Sequence, residues 1–207
     1  MKFFRYGSAF WRVTERIFDI GLLNLLWLLT SLPLVTIGAS SAALAGVSMQ
    51  LARGEEPAIV RSFFAAFRRC WKTASAAWLM SLPVLAWLVF GVFACSRLQS
   101  AALRLAVIPE GALLVLGLLT FVWVFPVCAE YPGSAVAALR HAACLAMLYL
   151  PWTCLMALVA ALPMGLTLFV PRLFPLMLML WIFLGAGGIA IVQAQIAKRL
   201  FLRQTAV

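Results

Sequence analysis

One histidine and six carboxylates are few for acid–base chemistry in a chain of 207 residues. That leaves little from which to build a proton relay, a paired-carboxylate site or a metal centre. The five cysteines, Cys70, Cys95, Cys128, Cys144 and Cys154, are odd in number and include no CxxC pair. Such a set supports neither a disulfide framework nor a zinc site, and the cysteines read as small apolar fillers. The stretch holding Glu130, Ser134, Arg140 and His141 contains catalytic residue types without a recognisable spacing. Asp19, Glu110 and Glu130 all fall at the ends of apolar runs, where they can reach water or an arginine. The expectation is a non-enzymatic protein with no catalytic residue, metal ion or cofactor.

What the chain has in abundance is apolar sequence. Its residues are 66% hydrophobic and 11% charged, with a mean hydropathy of +1.08, against about 45–50% and about 25% for a soluble domain. The apolar residues come in runs longer than a core helix needs, so the bilayer is the expected solvent. Sixteen Lys and Arg outnumber the carboxylates and give a formal charge of +10. In a membrane chain this excess belongs to cytoplasmic loops and to the anionic inner leaflet. Nucleic-acid binding is not expected, because the aromatics lie within or beside the apolar runs rather than among exposed cations.

The expected fold is all-α, a polytopic helical membrane bundle of five to six membrane segments forming one domain over residues 1–207. Residues 1–19 mix Arg5, Arg12, Arg16 and Asp19 with aromatics at helical spacing and predict an amphipathic interfacial helix. From Ile20 to Leu51 there are 32 uncharged residues, about 48 Å as one straight helix and too long for a core of about 30 Å. Pro33 and Gly38 mark a break, so 20–51 is expected to be a broken hairpin or re-entrant pair. The run continues past Ala45, where a signal peptide would be cut, which argues for a retained membrane segment. Spans are expected over 74–95, 111–129, 142–170 and 173–197, with a tight turn at Arg172. Prolines 33, 83, 151 and 163 are expected to interrupt spans. Trp27 with Ser31-Leu32-Pro33 and Trp78 with Ser81-Leu82-Pro83 form a faint repeat.

Charge placement sets the orientation. If the first run returns to its starting side, 13 Lys and Arg lie on one side of the membrane and 3 on the other. A single crossing would spread them almost evenly, against the positive-inside rule. Both termini and the 53–73 loop are therefore expected in the cytoplasm.

Three places hold the candidate contacts. Residues 57–73 predict a basic amphipathic helix, with Val60, Phe64, Phe67 and Trp71 on an apolar face and Arg61, Arg68, Arg69 and Lys72 on others. Those four cations are candidates for lipid or partner contact. Asn24 and Gln193 are candidate intramembrane polar contacts, fastening helices by amide hydrogen bonds. Gly185, Ala186, Gly187, Gly188 and Ala190 allow close approach of a neighbouring helix.

The ordered set Leu23-Asn24-Leu25-Leu26-Trp27, Leu32-Pro33, Thr36, Gly38-Ala39, Ala42-Ala43, Phe63-Phe64, Phe67, Trp71-Lys72 and Ala74 resembles the YesL-like family of bacterial integral membrane proteins. The chain departs from that pattern at Cys70, where an asparagine is common. The resemblance implies a bacterial plasma-membrane protein of unassigned activity, encoded near carbohydrate uptake transporters and glycan-degrading enzymes. On that basis the expectation is an accessory or regulatory component of carbohydrate uptake, with the lipid bilayer and a transporter permease as partners. The alternative is a small transporter or channel for a neutral solute, motivated by the broken helices and Asn24.

Overall fold

The computed structural model describes residues 9–97, 105, 107–131, 133–169, 179, 181 and 185–204. The first part of the expected 1–19 helix, the Arg172 turn, Arg104 and most of 173–184 lie outside the described residues. Within them are seven α-helices and no strand. They are α1 (Ala9–Thr30), α2 (Ile37–Arg53), α3 (Ile59–Ser96), α4 (Val107–Glu130), α5 (Ala135–Leu148), α6 (Leu150–Phe169) and α7 (Ala186–Gln204).

The break in the first apolar run falls where proline places it. Helix α1 ends at Thr30, a short 3-10 turn covers Leu34–Thr36, and α2 starts at Ile37. Pro33 is extended at φ −77° and ψ 122°. The Thr36 hydroxyl closes the turn by donating to the Thr30 and Pro33 carbonyls at 2.6 and 2.7 Å. Helix α2 then folds back along α1, with the Trp27 indole donating to Ser41 Oγ at 3.2 Å. At its far end Gly54 adopts φ +85°, and Gly54 and Glu55 donate to Leu51 and Gln50. This is a Schellman stop, which a glycine makes without a Cβ penalty.

Helix α2 is the centre of the bundle, packed on α1, α3, α4 and α7. Its small residues explain this: Ala39, Ala42, Ala43 and Ser48 are fully or almost fully buried. Small side chains let neighbouring backbones come close, the usual basis of helix packing where no water drives association. Pairs along their lengths show that α1–α2, α2–α3 and α3–α4 run antiparallel, whereas α7 runs parallel to α2, with Ala190 packed in one cluster with Leu44 and Lys198 reaching Ala52.

Three expectations are met only in part. The first concerns the number of membrane segments. Among the described residues three stretches are long and apolar enough to cross a membrane, Leu34–Arg53, Ile59–Ser96 and Val107–Glu130, or four if the bent pair α5–α6 is one span. This is fewer than the five to six expected, and much of the expected 173–197 segment lies outside the described residues. Helix α1 is not among the three because it runs without a break from the charged residues Glu15, Arg16 and Asp19 into the apolar run. The second concerns 142–170, which is not one straight helix. Helices α5 and α6 meet at an angle of 105°. Pro151 has no N–H to continue α5, but it is tolerated in the first turn of the next helix. The bend is fixed by Thr153, whose hydroxyl donates to the Tyr149 carbonyl at 3.0 Å and accepts from the buried Trp123 indole at 2.9 Å.

The third concerns the boundary at 73–74. The basic helix and the following span are one helix of 38 residues, α3, which passes through Pro83 without ending. Helix α6 likewise continues past position 163. Proline inside an apolar helix frees a carbonyl without forcing a break, as membrane helices commonly show.

Candidate functional site

The uncharged part of α3 lies between Lys72 and Arg97. Its length is about 36 Å at the α-helical rise, enough to carry the helix from one headgroup layer to the other. The outward residues agree, since Leu79, Val84, Trp87, Phe90 and Phe93 are all exposed on it. Arg97 lies over the Phe93 ring at 5.0 Å, an interfacial cation–π contact.

Below Lys72 the same helix becomes cationic. Arg61, Arg68 and Lys72 stand at i, i+7 and i+11, within about 40° of one another around the axis. All three are exposed, and among the described residues the one ion pair lies elsewhere, between Arg53 and Glu130 at 2.7 Å. Val60, Phe64 and Trp71 form an exposed apolar stripe beside them. Phe63 and Phe67 stack at 6.4 Å, and Phe67 in turn meets Trp71 of the stripe at 6.0 Å in a tilted contact.

Arg69, grouped with these cations in the sequence, has a different place. Its guanidinium donates to the Ala129 carbonyl at 2.6 Å. Cys70 Sγ donates to the Cys128 carbonyl at 3.3 Å, and the Thr73 hydroxyl to the Gly133 carbonyl at 3.0 Å. Arg69 and Cys70 thus satisfy carbonyls in the last turn of α4, where a helix leaves its last acceptors unpaired and its dipole favours a cation, and Thr73 reaches the turn that follows it. Lys198 does the same for α2, donating to the Ala52 carbonyl at 2.9 Å. Arg69→Met should therefore lower stability by about 1 kcal/mol. Arg68→Met, with no such acceptor, should change it by less than about 0.5 kcal/mol. Chemical or thermal unfolding of the two variants in one detergent checks the difference.

The residue types that suggested catalysis are spoken for structurally. Glu130 pairs with Arg53, Ser134 caps α5 by accepting from the Ala137 amide at 3.2 Å, and His141 stacks on Tyr131 at 6.2 Å. Asp19 lies at the same end beside Glu15 and Glu56. Its carboxyl is held above the usual carboxylate range chiefly by burial, with Arg16 opposing the rise and the two glutamates adding to it.

The two amides sit on the other side of α2. Asn24 is buried, donates Nδ2 to the Trp181 carbonyl at 3.0 Å and accepts the Gly187 amide at 2.9 Å. One side chain on α1 therefore holds both flanks of the entry to α7. Gln193 donates Nε2 to the Met156 carbonyl at 3.3 Å and lines a cavity of about 400 Å³ between α2, α4, α6 and α7. The long bond from Asn24 to Gly187 could be guessed from neither motif nor spacing.

A family model described as "Protein of unknown function, DUF624" matches residues 20–92. The match covers the second half of α1, all of α2 and all but the last turn of α3, and includes every residue of the cationic stripe. No curated protein and no solved structure matches the chain.

Proposed function

We propose that this chain is a multi-pass protein of the bacterial plasma membrane, with both termini cytoplasmic, that works without catalysis as an accessory component of a transport system. Its partner is a permease with an acidic cytoplasmic surface, and the docking element is the stripe Arg61, Arg68 and Lys72. The likeness to the YesL-like family supports carbohydrate uptake as the setting.

The observation that carries this reading is the stripe itself, three exposed cations that, among the described residues, form no ion pair and cap no helix end. Its length favours protein over lipid. From Lys72 to Arg61 the helix descends about 16 Å, whereas the headgroup layer on each side is about 5–8 Å deep. With Lys72 at the hydrocarbon boundary, Arg61 reaches past the phosphates into the aqueous phase, where an acidic protein surface can meet it. The exposed Phe64 and Trp71 supply the apolar contact that an interface of charges alone lacks.

The triple variant Arg61→Glu, Arg68→Glu, Lys72→Glu should fold, since none of the three makes a contact that the bundle needs. It should lose at least tenfold of the partner that co-purifies with the tagged wild-type chain in mild detergent. Co-purification at the wild-type level would overturn the docking role of α3.

A further inference from the structure

We propose that the cavity between α2, α4, α6 and α7 is a binding site for one uncharged amphiphile, an apolar body carrying a hydroxyl or amide head. This inference is independent of the docking reading and concerns the opposite side of α2.

The volume of about 400 Å³ is that of a small-ligand pocket. Its wall on α4 is preformed. Phe121 and Phe125 pack edge to face at 5.1 Å, and Trp78 holds Phe121 from behind at 5.6 Å. Away from this wall the lining mixes larger side chains such as Leu44 and Met49 with small ones, Ala45 on α2, Ala160 on α6 and Ala190 on α7, which leave room beside them.

The polar groups facing the space are few and uncharged. Gln193 uses Nε2 on the Met156 carbonyl, which leaves Oε1 as an acceptor. Ser41 accepts from the Trp27 indole, which leaves its hydroxyl proton to donate. Pro126, also in the lining, deprives the Val122 carbonyl of its helical N–H. One donor and two acceptors in an apolar chamber complement a head that both accepts and donates, as a hydroxyl or primary amide does. Among the described residues no ionisable side chain lines the space. A carboxylate or ammonium would have no counter-charge from them, at a cost of several kcal/mol. The proposed ligand is therefore uncharged.

The test is fluorescence quenching of the full-length protein in detergent by 11-bromoundecanol, since Trp27 and Trp181 line the cavity. Wild-type protein should show saturable quenching above the linear background of partitioning. Saturable quenching should be at least tenfold weaker with 1-bromoundecane, which has no head, and with 11-bromoundecanoate, which has a charged one. Gln193→Leu should raise the apparent Kd about fivefold, the effect of one hydrogen bond. Ala160→Phe should remove the saturable component by filling the space. Ala45→Leu, which enters the same space from α2, serves if Ala160→Phe does not fold. Quenching by the alcohol that never saturates, equal saturable quenching by all three probes, or saturable quenching unchanged in a folded cavity-filling variant would each overturn the proposal.

Discussion

Gly38→Leu should prevent the bundle from assembling, and even Gly38→Ala should cost about 2–3 kcal/mol. A Cβ at position 38 would overlap the Ala74 carbonyl and stand 2.7 Å from Trp78 Cβ. The obstacle is mostly the backbone of α3, which cannot rotate away as the tip of a flexible side chain can. Relief requires α2 and α3 to part, and overpacking of this kind costs about 1–3 kcal/mol for the smallest added group. Separation would also break the bond from the Trp78 indole to the Leu34 carbonyl at 3.2 Å. It would open the buried contacts of Ala42, Ala74 and Ala77 as well. Gly188→Ala is the matched control, because nothing lies within 4 Å of a Cβ there. That change should be neutral or stabilising by up to about 1 kcal/mol, the usual gain from removing a helical glycine. Thermal unfolding in detergent, with monodispersity on gel filtration, should separate the two glycines clearly. Equal behaviour would show that α2 and α3 are not in close contact at Gly38.

Asn24→Leu is the second large effect, about 2–4 kcal/mol of destabilisation. The amide is 1% exposed and bridges the Trp181 carbonyl and the Gly187 amide. A leucine of similar size takes the amide donor away from the Trp181 carbonyl and the amide acceptor away from the Gly187 N–H, and each hydrogen bond lost from a buried group costs about 1–3 kcal/mol. Interhelical hydrogen bonds in membrane bundles average less, about 0.6 kcal/mol. The larger figure applies here because both partners are backbone groups, fixed in place, and not side chains that can turn to another bond. Gly187 adds a steric element, since its Cα lies against the Ile20 carbonyl with only 2.9 Å to spare for a Cβ. Proteolysis is the sharper readout. Asn24→Leu should expose the chain before α7 to cleavage while α2 and α3 stay protected. Unchanged protease resistance would remove Asn24 as the fastening of α7.

The membrane character, the break at Pro33 and the amphipathic start of α3 were legible because each rests on a local signal: apolar run length, a proline, and a helical period. The site was half legible. Helical spacing puts Arg61, Arg68 and Lys72 on one face, but it cannot distinguish Arg69, whose acceptor at Ala129 lies 60 residues away. The same blindness to distance hid the pairing of Asn24 with Gly187. The break beside Pro151 was legible from the proline, but its angle of 105° was not, since it depends on Thr153 and its contact with Trp123 thirty residues away. Counting apolar runs divides helices by charge and ignores where hydrogen bonding begins and ends, so it did not show that α1 joins charged and apolar residues in one helix. Pro83 and Pro33 look alike in sequence, yet only Pro33 is followed by a residue, Thr36, whose hydroxyl completes a turn.

The claim that the stripe on α3 meets an acidic protein is tested most directly by placing a benzophenone amino acid at Ala65, an exposed position between Arg61 and Arg68, and irradiating native membranes. The account predicts one discrete protein adduct of about the mass of this chain plus a permease, lost when Arg61, Arg68 and Lys72 are reversed to glutamate. Adducts to lipid alone, or a protein adduct that survives the charge reversal, would contradict it.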